Sequence, residues 1–132
     1  MRGLHLTADI AGCRMNRGLM TDATKLRSTC LMLVELSGLT AVSEVFFEFP
    51  AADGADSGGV TGTVLLAESH LAIHTWPELG AVTLDVYVCN YSMDNGHKAQ
   101  RLIDGMVDLF KPDSLVRQQL ERGEVRASVL AA

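Results

Sequence analysis

Leu4, Leu6, Ala8 and Ile10 alternate with His5, Thr7 and Asp9, the period-two pattern of a half-buried strand. Asn16 to Gly18 break it. Leu26, Cys30, Leu33 and Val34 then recur at helical spacing. Thr21 or Asp22 can cap this helix by accepting backbone N–H bonds, and Gly38 is placed to stop it. Residues 40–49 predict a strand, with Val45, Phe47 and Phe49 on one face and Val42 and Phe46 on the other. Pro50 ends it, and the Gly-, Asp- and Ser-rich segment 51–59 reads as a mobile loop. The β-branched run 60–67 predicts a buried strand leading into a polar block. After a turn at Pro77 and Gly80, Val82, Leu84, Val86 and Val88 alternate with Thr83, Asp85, Tyr87 and Cys89. Asp94 or Asn95 can cap a second helix, whose stripe is Ala99, Leu102, Ile103, Met106, Val107 and Phe110. Pro112 breaks it, residues 113–123 allow a short third helix, and the tail after Gly123 reads as loose.

This order, β-α-β-β-β-α, predicts an α+β fold. Two amphipathic helices lie on one face of a largely antiparallel sheet, making a two-layer sandwich. The pleat leaves a second sheet face, carrying Tyr87 and Cys89, for something else.

At 132 residues the chain fits one domain. A hydrophobic content of 48% in so small a unit favours burying further surface in an oligomer. A net charge of −5 argues against nucleic acid or an anionic membrane as partner. The start lacks the apolar core of a signal peptide, and no run approaches the roughly 18 apolar residues of a membrane span. The three cysteines show no CxxC spacing, which suggests reduced thiols in the cytoplasm.

The block 67–78, AESHLAIHTWPE, holds a serine, two histidines and two glutamates between strand-like runs. Polar groups this dense are costly to bury unless satisfied. His70 and His74 are four apart, but such a pair shares a metal only on a helix, and no HExxH is present. No GxSxG elbow supports a serine hydrolase. The bland alternative is a set of satisfied polar groups at a strand end. Against it, Ser69, His74 and Cys89 together offer a hydroxyl, a base and a thiol acid. Reference pKa values of about 6.5 for histidine and about 8.5 for cysteine suit proton transfer near neutrality.

The run from Val60 to Cys89, VTGTVLLAESHLAIHTWPELGAVTLDVYVC, closely resembles the signature of the prokaryotic S-adenosylmethionine decarboxylase proenzymes. GLHLTADIAGC near the start, FEFP and CNYSMDNGHKAQRL extend the likeness over most of the chain. The resemblance implies an enzyme that makes its own cofactor by autocatalytic cleavage of the Glu68–Ser69 bond. A β chain of residues 1–68 and an α chain of 69–132 result. Ser69 becomes a pyruvoyl group that binds the substrate amine as a Schiff base, with no metal and no pyridoxal phosphate. By the same likeness, His74 moves the processing proton, Cys89 is the proton donor in decarboxylation, and Glu78 holds the ribose hydroxyls. Phe47 and Phe49 are candidates to stack on adenine. The substrate implied is S-adenosylmethionine, and the product is the aminopropyl donor for spermidine. Family members are homodimers with active sites between protomers. Relatives with the same apparatus decarboxylate arginine or ornithine, which is the alternative, and a non-catalytic homologue is the competing class.

Overall fold

The computed structural model describes residues 2–51, 54, 57–91 and 93–123. The loop read at 51–59 lies partly, and the tail after Gly123 wholly, outside the described residues. Strand β1 (Gly3–Ala11) leads through a 3-10 turn (Arg17–Met20) to helix α1 (Ala23–Leu36) and strand β2 (Ala41–Glu48). Strands β3 (Val60–Leu66) and β4 (Ser69–Trp76) form a hairpin, and a second 3-10 turn (Pro77–Leu79) precedes β5 (Ala81–Cys89). Helix α2 (Gly96–Phe110) and strand β6 (Ser114–Arg122) complete the chain.

The six strands make one antiparallel sheet in the order β2-β3-β4-β5-β1-β6. Both helices cover one face, as the amphipathic stripes predict. Leu26, Cys30 and Val34 of α1 and Leu102, Ile103 and Met106 of α2 pack on Ala8, Val64, Leu71, Ile73, Leu84 and Val86. Each large side chain so buried stabilises the fold by about 1.5–3 kcal/mol.

Local signals account for the helix ends. Asp22 accepts the Lys25 backbone N–H at 3.0 Å, so it is the cap of α1. Gly38, with φ 86°, turns the chain out of α1, and the Leu39 N–H closes on the Val34 carbonyl at 3.1 Å. At the start of α2 the Asp94 carboxylate accepts the Gly96 N–H at 2.8 Å.

Two expectations need correction. The order is β-α-β-β-β-β-α-β, with two more strands than the sequence pattern predicts. Residues 60–76 hold two strands, because the chain reverses at Ala67–Glu68 without the Gly, Asn or Pro that signals a tight turn. Residues 114–122 form strand β6 and not a third helix. Its Leu, Gln, Glu and Arg suit a helix locally, but pairing with β1 along its whole length decides otherwise.

The sheet face away from the helices is open. It carries Val45, Phe47 and Phe49 from β2 and its end, Leu65 from β3, Trp76 from β4 and Leu120 from β6. All of these are more than a third exposed.

Candidate active site

Ala67 and Glu68 form the two-residue turn of the β3–β4 hairpin, since Leu66 pairs with Ser69. The Glu68 N–H donates to the Leu66 carbonyl at 2.9 Å, and Glu68 carries a φ of 156°. The Ser69 hydroxyl oxygen accepts the backbone N–H of Cys89 at 3.0 Å, which ties the start of β4 to the end of β5. A cleft of about 160 Å³ opens here, lined by Gly38, Glu68, Ser69, Cys89, Asn95 and Lys98 among others. Asn95 Nδ2 donates to the Cys89 carbonyl at 3.0 Å, and the Asn95 N–H reaches Asn90 Oδ1 at 2.8 Å. The Asn90 N–H in turn donates to the Arg2 carbonyl at 2.7 Å. The segment carrying Cys89 is thus pinned on both sides. Its thiol is nearly buried, at 6% exposure for the residue.

His74 lies elsewhere. It is five residues beyond Ser69 on the same strand, a separation of roughly 16 Å at 3.3 Å per residue. Alternation also puts it on the open face, whereas Ser69 falls in step with the buried Leu71 and Ile73. His74 Nδ1 and Thr61 Oγ1 of β3 are hydrogen-bonded at 2.6 Å, and the ring leans on Trp76 with centroids 6.2 Å apart. His74, Thr61, Phe49, Trp76 and Glu78 line a cleft of about 620 Å³, within the range of small-molecule sites. Phe47 does not line it but meets Phe49 edge to face at 5.0 Å.

The sequence-selected residues therefore divide. Glu68, Ser69 and Cys89 gather at one end of β4, and His74, Glu78 and Phe49 at the other. Within this chain His74 does not reach Ser69.

A third cluster spans β1, β5 and β4 on the open face. Asp85 Oδ2 accepts from His5 Nε2 at 2.9 Å and from His70 Nε2 at 2.8 Å. Arg122 Nη1 lies 3.1 Å from His5 Nδ1 and its guanidinium stacks on Tyr87. A guanidinium can only donate, so His5 keeps its proton on Nε2, facing Asp85. Among the described residues these three form the one group with metal-ligand spacing, their donor atoms within 4.8 Å of one another. Both Nε2 atoms already serve Asp85, and a cation already sits on His5. His70 thus partners His5 and Asp85 rather than His74.

The other thiols serve packing. Burial pushes the Cys30 thiol up to about 12, and burial also raises Cys13, with Arg17 pulling the other way. All three cysteines are free.

Thr61 and Asn95 are site residues that the sequence pattern missed. An alternating threonine in a strand and an asparagine before a helix have ordinary structural uses, so neither stands out. The signal for Thr61 is its register: it pairs with His74 once the hairpin turn is placed at 67–68.

Comparison with known proteins gives consistent results. Residues 4–123 match the family model described as S-adenosylmethionine decarboxylase. The chain is 36% identical over 123 residues to the S-adenosylmethionine decarboxylase proenzyme of Aquifex aeolicus, covering 93% of this chain and 82% of that protein. To the proenzyme of Archaeoglobus fulgidus it is 35% identical over 121 residues, covering 92% and 97%. The crystal structure of the adenosylmethionine decarboxylase from Aquifex aeolicus superposes with a TM-score of 0.79 at 34% identity, over 95% of this chain and 93% of that one. The Trypanosoma brucei AdoMetDC monomer shares the fold alone, with a TM-score of 0.54 at 15% identity, over 86% of this chain and 44% of that one.

Proposed function

The chain belongs to the S-adenosylmethionine decarboxylase family, and from that membership we propose that it is a self-processing enzyme that decarboxylates S-adenosylmethionine to the aminopropyl donor. The observation that carries the reading is the placement of Ser69 directly after a tight turn, its hydroxyl held at the Cys89 backbone and open to a cleft. A serine that must attack its own preceding carbonyl needs such a turn. Elsewhere in the sheet, ladder pairing would hold the peptide flat.

Maturation runs in balanced steps. Ser69 Oγ attacks the Glu68 carbonyl carbon and the Glu68–Ser69 C–N bond breaks. The proton moves from oxygen to nitrogen, so amide becomes ester. A base removes the Ser69 α-proton, and the Cβ–Oγ bond breaks with its electron pair leaving on the Glu68 carboxylate. The dehydroalanine tautomerises, takes up water and releases ammonia. The products are a chain of residues 1–68 and a chain of 69–132 that begins with a pyruvoyl group, both within one domain. That group fits the site: it has the size of the serine it replaces and opens on the same cleft. When formed, it supplies the sink for the electrons left behind by CO₂.

The other residues follow from their positions. Cys89, beside Ser69, is the acid that returns a proton to the substrate carbon, and Asn95 fixes its backbone. Glu78 is a diol acceptor, and Phe49, braced by Phe47, offers an aromatic face for adenine. Arginine and ornithine are not favoured, since the relatives compared are named for S-adenosylmethionine.

His74 needs a second copy of the chain to reach a Ser69. A twofold dimer that packs open face on open face, with its axis across β4, sets one protomer's His74 end of β4 against its partner's Ser69 end twice over; Ser69, half-buried and first after the turn, is then reached round the end of the strand. The exposed side chains support that pairing: Val45 is 70% and Phe47 53% exposed, a cost that burial against a second sheet would remove. Free thiols fit a reducing cytoplasm. No helix of the described residues is long and apolar enough to cross a membrane.

The test is CO₂ release from purified, processed protein given S-adenosylmethionine, arginine or ornithine. S-adenosylmethionine is expected to show the highest kcat/KM. A higher value for either amino acid would overturn the substrate.

A further inference from the structure

Lys98 lines the cleft of Glu68, Ser69 and Cys89, yet neither the family likeness nor the scheme above gives it a role. Its stem passes over Gly38, where a β-carbon would lie 3.5 Å from Lys98 Cε. Its ammonium lies 3.6 Å from the Met93 thioether, an uncharged and weak acceptor. No carboxylate among the described residues pairs with it. It is the third residue of α2, whose first turn holds no acidic residue. A cation there opposes the helix dipole unless an anion is near. Asp94, four residues earlier, uses its carboxylate on the Gly96 N–H and makes no ion pair with Lys98, so the ammonium is an unpaired positive charge in the cleft that holds the Glu68–Ser69 bond.

The geometry points to Lys98 as a catalytic residue of maturation, whose ammonium receives the Glu68 α-carboxylate as it leaves Ser69 Cβ. This rests on the self-processing reading above. Charge decides the step. In the ester the Glu68 carbonyl is neutral. In the elimination a full negative charge develops on it, in the same residue as the Glu68 side-chain carboxylate. A fixed cation stabilises that transition state more than the ester, which is the condition for catalysis. The same ammonium on the substrate carboxylate would have the opposite effect. It would stabilise the charge that decarboxylation must disperse, and so hold back the loss of CO₂. The cleft's cation therefore belongs to the first reaction. After cleavage it holds the new chain end, with its two carboxylates, clear of the substrate's path.

The experiment compares wild type with Lys98→Met, which keeps the stem and removes the charge, and Lys98→Arg, which keeps the charge. Intact-mass spectrometry follows cleavage with time, and hydroxylamine cuts any accumulated ester. Lys98→Met is expected to accumulate hydroxylamine-sensitive ester and to mature at least about tenfold more slowly, a modest share of what one oxyanion contact contributes. Lys98→Arg should mature within about threefold of wild type. Lys98→Gln carries the same test should the methionine variant fail to fold, as judged by its thermal transition. Wild-type maturation in Lys98→Met, with no ester, would overturn the proposal. Normal maturation with a raised KM would also overturn it and place the ammonium on the substrate. A wild-type protein that never cleaves would instead defeat the self-processing reading.

Discussion

Ser69, His74 and Cys89 differ in what each can do alone. Ser69→Ala removes the nucleophile, so the protein should remain one chain by intact mass. His74→Ala keeps the nucleophile and loses the base, so it should stall as an ester that hydroxylamine cuts. Thr61→Val should slow the same stage less severely, because it frees the ring held at 2.6 Å without removing it. Cys89→Ala should still cleave at least in part, but it should turn over poorly and lose its reactive carbonyl during turnover, since no placed acid protonates the substrate carbon. Glu78→Gln should raise KM for S-adenosylmethionine while cleavage proceeds. Cys30 gives a pH prediction with a definite sign. Its pKa rises from 9.0 to about 12 on burial, so between those values the unfolded chain sheds a proton that the native chain keeps. Stability is full below pH 9.0 and falls above it, by at most about 1.4 kcal/mol per pH unit. Urea titrations across this range should show a shallower decline for Cys30→Ala than for wild type.

At the scale of elements, cutting the β3–β4 turn leaves the sheet intact. Residues 1–68 supply β1, α1, β2 and β3, and residues 69–132 supply β4, β5, α2 and β6. The spatial order interleaves them: β1 of the first fragment lies between β5 and β6 of the second. The fragments should therefore co-elute after maturation and separate only in denaturant. Either one eluting alone under native conditions would contradict this. Helix α2 anchors the arrangement through fully buried Ile103 and Met106. Ile103→Ala is expected to cost about 2–5 kcal/mol in a urea titration. Strand β6 is exposed at every residue, so its place depends on backbone pairing with β1 rather than on a buried side chain.

For the whole molecule, the division of the site along β4 is the governing fact. If the partner supplies His74, then Ser69→Ala and His74→Ala chains, each unable to mature alone, should complement one another when mixed or co-expressed. In the mixed dimer, the His74→Ala protomer keeps Ser69 and receives the partner's His74, so that protomer should cleave. Absence of cleavage in a verified mixed dimer would place His74 on its own chain. Phe47→Asp, which puts a charge among the exposed apolar side chains of β2 on the open face, should lower the sedimentation coefficient to that of a monomer and abolish maturation along with it.

Local pattern alone sufficed for the two helices, the ends of α1 at Thr21 or Asp22 and at Gly38, four of the strands and the sandwich they form, because these rest on periodicity and on end groups a few residues away. It also marked Ser69, His74 and Cys89, because three reactive side chains in one extended motif are hard to explain as packing. It did not show the turn at Ala67–Glu68, which lacks turn residues, or β6, whose composition suits a helix. The turn is decided by the pairing of β3 with β4 on either side of it, and β6 by pairing with β1, distant in the chain. Contacts across the fold separated His74 from Ser69, joined His70 to His5 and Asp85, and brought Lys98 into the cleft of Glu68 and Ser69. Alternation along a strand fixes which face a residue takes. The order of strands and the docking of α2 fix what it meets there, and those contacts join positions as far apart as His5 and Arg122, 117 residues, beyond the reach of any local pattern.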